Sequence, residues 1–122
     1  MPIRVGAPKE TTPGERRVAL VPDVAQRLAK LGVEVLLETG AGSAAHYPDA
    51  AYKDTRIVSD AASLYAESDV ILGVQPPDDT AIGQLRPGSS VIGFMQAHKY
   101  PDRVKRLKEA NITSYAMELV PR

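Results

Sequence analysis

The chain has no cysteine among its 122 residues, which excludes disulfides and thiolate metal sites and permits an intracellular home. It also lacks an excess of either charge. With 15 basic and 15 acidic residues the formal net charge is zero, so nothing points to nucleic acid or an anionic membrane, whose binders usually carry a basic surplus. No apolar run approaches the ~18 residues of a membrane span. MPIRV leads straight into a strand pattern, without a basic segment followed by a long apolar one. A soluble domain without direct membrane insertion is therefore expected. No repeat and no low-complexity linker divides it, so residues 1–122 are expected to form one domain, long enough to bury a core.

Short apolar runs alternate with amphipathic helical patterns from end to end. Ile3 to Ala7 is too brief for a helix, and Pro8 cannot donate to a sheet ladder, so a strand ends there. Val21, Val24, Ala25, Leu28 and Leu31 fall at helical spacing, Pro22 suits the first turn, and Gly32 ends the helix. Val33 to Leu37 is a second strand with little alternation, as expected where helices cover both faces. Asp49 to Asp54 predicts a short helix, Arg56 to Ser59 a brief strand, and Asp60 caps a helix carrying Ala61, Leu64 and Tyr65 inward. Val70 to Val74 is the most strand-like run and should lie centrally. Asp78 and Asp79 start a helix through Leu85, Ser90 to Phe94 is the next strand, Pro101 to Ala110 is helical, and Ile112 to Ala116 is the last strand. Arg103, Lys105, Arg106 and Lys108 then form a solvated helix face. The order predicts an α/β fold: a three-layer, open, mostly parallel sheet with helices on both faces, flavodoxin/Rossmann-like, in a single domain.

Ala7 to Asp23, APKETTPGERRVALVPD, packs Lys9, Glu10, Glu15, Arg16 and Arg17 into the loop after the first strand. In an open parallel sheet, ligands bind beyond the carboxyl ends of the strands. Arg17 has two readings: its forked guanidinium reads an anionic ligand, or it pairs with Glu10 or Glu15 and ties the loop down. If the main strands are parallel, Arg17, Gln75, Gln96, Glu118 and Arg122 share one rim, which is the candidate site. His98 stands two residues beyond Gln96 and reads as a solvated loop histidine. No catalytic group and no metal ligand set emerges from these residues.

Gly40 to Ala45 follows a strand and spells G-x-G-x-x-A, the dinucleotide fingerprint. The fingerprint needs a helix starting at the glycines and an acidic residue about 20 positions on. His46-Tyr47-Pro48-Asp49 interrupts any such helix, so the string is not expected to grip a nucleotide.

PKETTPGERRVALVP, Glu38-Thr39-Gly40-Ala41-Gly42 and the closing Tyr115 to Arg122 together resemble the start of the alanine dehydrogenase and pyridine nucleotide transhydrogenase family. The closing AMELVPR is similar to alpha subunits of the proton-translocating NAD(P) transhydrogenases. The likeness runs the length of the chain, yet corresponds to only the first third or so of such a polypeptide. It implies an N-terminal, non-Rossmann domain whose NAD-binding Rossmann domain lies beyond residues 1–122. It also implies partners: that Rossmann domain, other transhydrogenase domains or subunits, and further copies in a homo-oligomer. By the same likeness the domain is cytoplasmic, peripheral to the inner membrane when assembled.

The resemblance gives the rim positions meaning. Alanine dehydrogenases place a substrate-binding arginine where this chain has Arg17, a lysine where it has Gln75, and a catalytic histidine where it has Gln96. An amide does not titrate near neutral pH and cannot serve as general acid or base. Amino-acid oxidation is therefore disfavoured, whereas hydride exchange between two nicotinamides needs no proton carrier. Arg122 matches the arginine that opens the R-I-S-R-A-Q loop near the NAD(H) nicotinamide in transhydrogenases, which implies cofactor contact; the other reading is a frayed terminus. Two alternatives stay open: the substrate domain of an alanine-dehydrogenase-like enzyme, and a non-catalytic module for oligomer formation or partner binding.

Overall fold

Arg4–Ala7 forms β1, and its last three residues are buried. A computed structural model describes residues 3–119. The chain then gives α1 (Pro22–Lys30), β2 (Glu34–Glu38), β3 (Thr55–Val58), α2 (Ala61–Glu67), β4 (Val70–Leu72), α3 (Asp79–Gln84), β5 (Ser90–Gly93), α4 (Pro101–Glu109) and β6 (Thr113–Ala116). Every pairing is parallel, and the strand order is β3-β2-β1-β4-β5-β6. The sheet is thus doubly wound: the chain winds outward to one side from β1, crosses back, and winds outward to the other from β4.

The local reasons are those of ordinary capping chemistry. The Asp60 carboxylate accepts from the Ser63 N–H at 2.7 Å and starts α2; Asp78 accepts from the Ala81 N–H at 2.8 Å and starts α3. Pro22 and Pro101 occupy the first turns of α1 and α4, where a missing N–H leaves nothing unpaired. Two expected elements shrink. The helix from Asp49 is one 3-10 turn, Asp49–Ala51, because the Asp49 carboxylate turns back to accept from Thr39 Oγ1 (2.6 Å) and the Gly40 N–H (2.9 Å). The Val70 strand stops at Leu72, because the N–H groups of Val74 and Gln75 turn to a side chain instead of a ladder.

The two faces of the sheet are covered unequally. On one, Leu36, Ile71 and Val91 pack with Leu64, Ile82 and Leu107 of α2, α3 and α4. On the other, Val35 and Leu37 pack with Leu20, Ala25 of α1, and Tyr52, whose hydroxyl donates to the Leu20 carbonyl at 2.7 Å. Among the described residues, this second face is helix-covered only over β1 to β3. Leu72, Ile92 and Tyr115 stand side by side across β4, β5 and β6 in register, and Phe94, Tyr115 and Met117 are exposed. An all-parallel sheet ordinarily has both faces covered. Helices lie on both faces, as expected, with part of the second face left open among the described residues.

Candidate functional site

Parallel pairing brings the carboxyl ends of β1, β4, β5 and β6 to one edge, and Arg17, Gln75, Gln96 and Glu118 meet there. Arg17 is bound to Glu15 by a two-pronged ion pair, Nε and Nη2 donating at 2.9 and 2.8 Å, while its backbone N–H also donates to that carboxylate at 2.9 Å. Of the two carboxylates that could pair with Arg17, Glu15 is the one that does. Glu15 reaches further: it accepts from Gln75 Nε2 at 2.7 Å. Gln75 Oε1 in turn accepts from Gln96 Nε2 at 3.1 Å. Arg17, Glu15, Gln75 and Gln96 thus form one hydrogen-bonded chain across the loops after β1, β4 and β5.

Two further carboxylates brace that chain from behind. Glu10 accepts from the N–H groups of Val74 and Gln75, both at 3.0 Å. Glu118, in the 3-10 turn Met117–Leu119, accepts from the N–H groups of Met95 (3.1 Å) and Gln96 (2.7 Å). Sequence reasoning placed Glu10 in the loop and Glu118 on the rim, but not their roles. A charged loop residue carries no periodicity, and its partner 64 residues away leaves no local mark. Gln96 itself has φ +48°, a left-handed conformation uncommon for residues other than glycine. His98 is exposed, as expected of a solvated histidine. Arg122 lies outside the described residues.

The electrostatics follow the contacts. Hydrogen bonds from Arg17 and then Gln75 hold the Glu15 carboxyl down at about 2, so the ion pair persists through the neutral range. Burial dominates at Glu10 and raises its carboxyl above the ordinary value, against the pull of the Val74 and Gln75 N–H groups. Glu118 is lowered, chiefly by the Gln96 N–H. The signs differ accordingly. Glu15 contributes stability that is full above its ordinary value of 4.5 and is lost as pH falls toward about 2. Glu10 contributes in the opposite sense, fully present in acid and fading as pH rises through its raised value. Because the Arg17 partner is exposed and solvent-screened, Glu15→Gln is expected to remove only about 1 kcal/mol of the acid-induced loss. Urea unfolding at stepped pH values checks this: the variant's stability should fall less steeply than the parent's on the acid side.

The Gly40-Ala41-Gly42 loop is excluded as a phosphate cradle. Its glycines lead into a 3-10 turn, Ser43–Ala45, rather than a helix. The space beside Gly42 is filled by the Tyr52 hydroxyl and the Tyr47 backbone, 2.6 and 2.7 Å from where a Cβ would stand. Where Gln75 and Gln96 meet, the rim presents side-chain amides. Among the described residues no cluster of three or more histidine or acidic side chains could hold a metal, and no helix is long and apolar enough to cross a membrane.

Comparison with known proteins agrees with this fold. Residues 6–122 match the family described as "Alanine dehydrogenase/PNT, N-terminal domain", PNT denoting pyridine nucleotide transhydrogenase. The NAD(P) transhydrogenase subunit alpha of Cereibacter sphaeroides is 36% identical over 122 residues, covering 98% of this chain and 23% of the relative. Alanine dehydrogenase of Mycobacterium tuberculosis is 33% identical over 120 residues, covering 97% and 32%. The crystal structure of transhydrogenase from Sinorhizobium meliloti superposes with a TM-score of 0.92 at 35% identity, covering 98% of this chain and 36% of that one. An L-alanine dehydrogenase structure shares the fold, with a TM-score of 0.88 at 22% identity over 93% of this chain and 32% of that one. The chain spans about a quarter to a third of the length of the curated relatives it matches. It belongs to the alanine dehydrogenase/pyridine nucleotide transhydrogenase family, and its fold is that family's N-terminal domain.

Proposed function

We propose that this domain forms one wall of the NAD(H) cleft of a proton-translocating NAD(P) transhydrogenase, as part of its alpha subunit. The observation that carries this reading is the Arg17–Glu15–Gln75–Gln96 chain. Its guanidinium is paired with the Glu15 carboxylate, and its other two members, Gln75 and Gln96, are amides that do not titrate. A 2-oxo acid needs an unoccupied cation, and amino-acid oxidation needs a proton carrier. Gln75 and Gln96 offer neither, whereas neutral amides suit the carboxamide end of a nicotinamide. When bound, NAD(H) supplies the hydride donor or acceptor. The domain's own part is to fix the rim amides and to close one side of the cleft.

The remainder of the cofactor needs a second domain with a true dinucleotide loop, so this domain alone is inactive. In the assembled protein it sits on the cytoplasmic side of the membrane, with the proton path supplied elsewhere. The half-bare sheet face favours a second, compatible reading, that the domain docks other parts of the assembly or further copies through Leu72, Ile92, Phe94 and Tyr115.

The test is hydride transfer from NADPH to a spectrally distinct NAD analogue by the assembled protein that carries this domain. Gln75→Ala should lower the rate by about tenfold, the loss of one transition-state hydrogen bond. Alanine-dependent NADH formation as the main activity would overturn the reading.

A further inference from the structure

Glu10 and Glu118 perform the same operation on neighbouring strand ends. Glu10 follows β1, which flanks β4; Glu118 follows β6, which flanks β5. Each spreads its two oxygens over two consecutive backbone N–H groups just past the end of the inner strand: Val74 and Gln75 for Glu10, Met95 and Gln96 for Glu118. Between the two braces, the side chains of Gln75 and Gln96 meet at 3.1 Å.

The arrangement has the form of a clamp. The second N–H in each brace belongs to a glutamine, so fixing the backbone fixes where its amide begins. Gln96 needs this most, because its left-handed conformation is costly and persists only when its surroundings over-determine it. From the structure we infer that Glu10 and Glu118 are positioning residues that brace the Gln75–Gln96 amide pair as one rigid polar element, aimed at the neutral carboxamide of a ligand. The ligand clause rests on the transhydrogenase reading above; the bracing itself does not.

The groups facing each brace are few. Glu15 and Arg17 act on Glu10 from its own loop, and the Tyr65 hydroxyl of α2 faces it, with Glu38 and Asp78 beside that hydroxyl. His98 acts on Glu118. The side chains of Arg17 and Gln75 have Glu15 as their acceptor, so neither competes for the Glu10 oxygens.

Proton NMR of the 15N-labelled 122-residue chain, titrated from about pH 7 to about pH 3, tests the bracing without nucleotide. The Val74 and Gln75 amide protons should move together with a midpoint above 4.5, and those of Met95 and Gln96 together with a midpoint below it. Glu10→Gln should abolish the first titration and leave the second; Glu118→Gln should do the reverse. The NOE between the two glutamine side chains should vanish in Glu10→Ala and in Glu118→Ala while core methyl NOEs persist. Independent titration of the two amides within either pair would overturn the proposal, as would a full-strength glutamine NOE in both alanine variants. If the variants do not fold, the titration of the parent chain decides. NADH added at neutral pH then reads the ligand clause separately: shifts of the Gln75 and Gln96 side-chain amides support it, and their absence removes that clause alone.

Discussion

Leu64→Ala is expected to cost about 3–5 kcal/mol of folding free energy, the largest effect of any single side chain considered. Leu64 is fully buried in α2 and belongs to the cluster beneath β1, β2 and β4. It also sits against the one place where β1 has no side chain: a Cβ on Gly6 would stand 3.0 Å from Leu64 Cδ2. Truncation therefore removes methyl groups from a gap already shaped to them, and the surrounding strands cannot collapse to fill it. Domains of this size are stable by only about 5–15 kcal/mol in total, so the loss is a large fraction of the whole. Urea unfolding with an unchanged slope and a lowered midpoint is the expected result. A cost under about 1 kcal/mol would mean that α2 does not pack on this face.

Gly93→Ala should act on the site as well as on stability. A Cβ at Gly93 would lie 2.5 Å from the Gly73 carbonyl oxygen and 3.1 Å from its carbon. These are backbone atoms of the neighbouring strand end, so no rotamer change relieves the clash. β4 and β5 must part where they deliver Gln75 and Gln96. Overpacking of this kind costs about 1–3 kcal/mol, and the parting should weaken the hydrogen bonds from Gly73 N–H to Ile92 O (2.9 Å) and from Phe94 N–H to Val74 O (3.2 Å). Slowed exchange of these two amides in the parent and rapid exchange in a folded variant is the expected pair of results. Unchanged exchange in the variant would show that the strand ends are not held in this close approach.

Much of the fold was legible because its signals are local. Pro8 and Gly32 ended the elements they were expected to end, Asp60 and Asp78 capped helices as their spacing indicated, and the apolar run at Val70 proved central in the sheet. A common edge for Arg17, Gln75, Gln96 and Glu118 followed once the strands were parallel, and the sheet pairing is parallel throughout. What could not be read were pairings across the chain. Nothing near Glu10 announces that it will cap a strand end 64 residues later, and nothing near Arg17 chooses between Glu10 and Glu15. The half-bare face left a faint trace in the alternation of Ile92 with Phe94 and of Tyr115 with Met117. That pattern, however, marks an apolar face without saying whether a helix of the same domain covers it.

The central claim, that Arg17, Gln75 and Gln96 form one wall of a nicotinamide-nucleotide cleft, is tested most directly by mapping NADH onto the domain with 15N-labelled protein. Weak, fast-exchanging shifts confined to the loops after β1, β4 and β5 are predicted, strongest at Gln75 and Gln96. Shifts centred at the opposite end of the sheet, or on the Gly40–Ala45 loop, would contradict it.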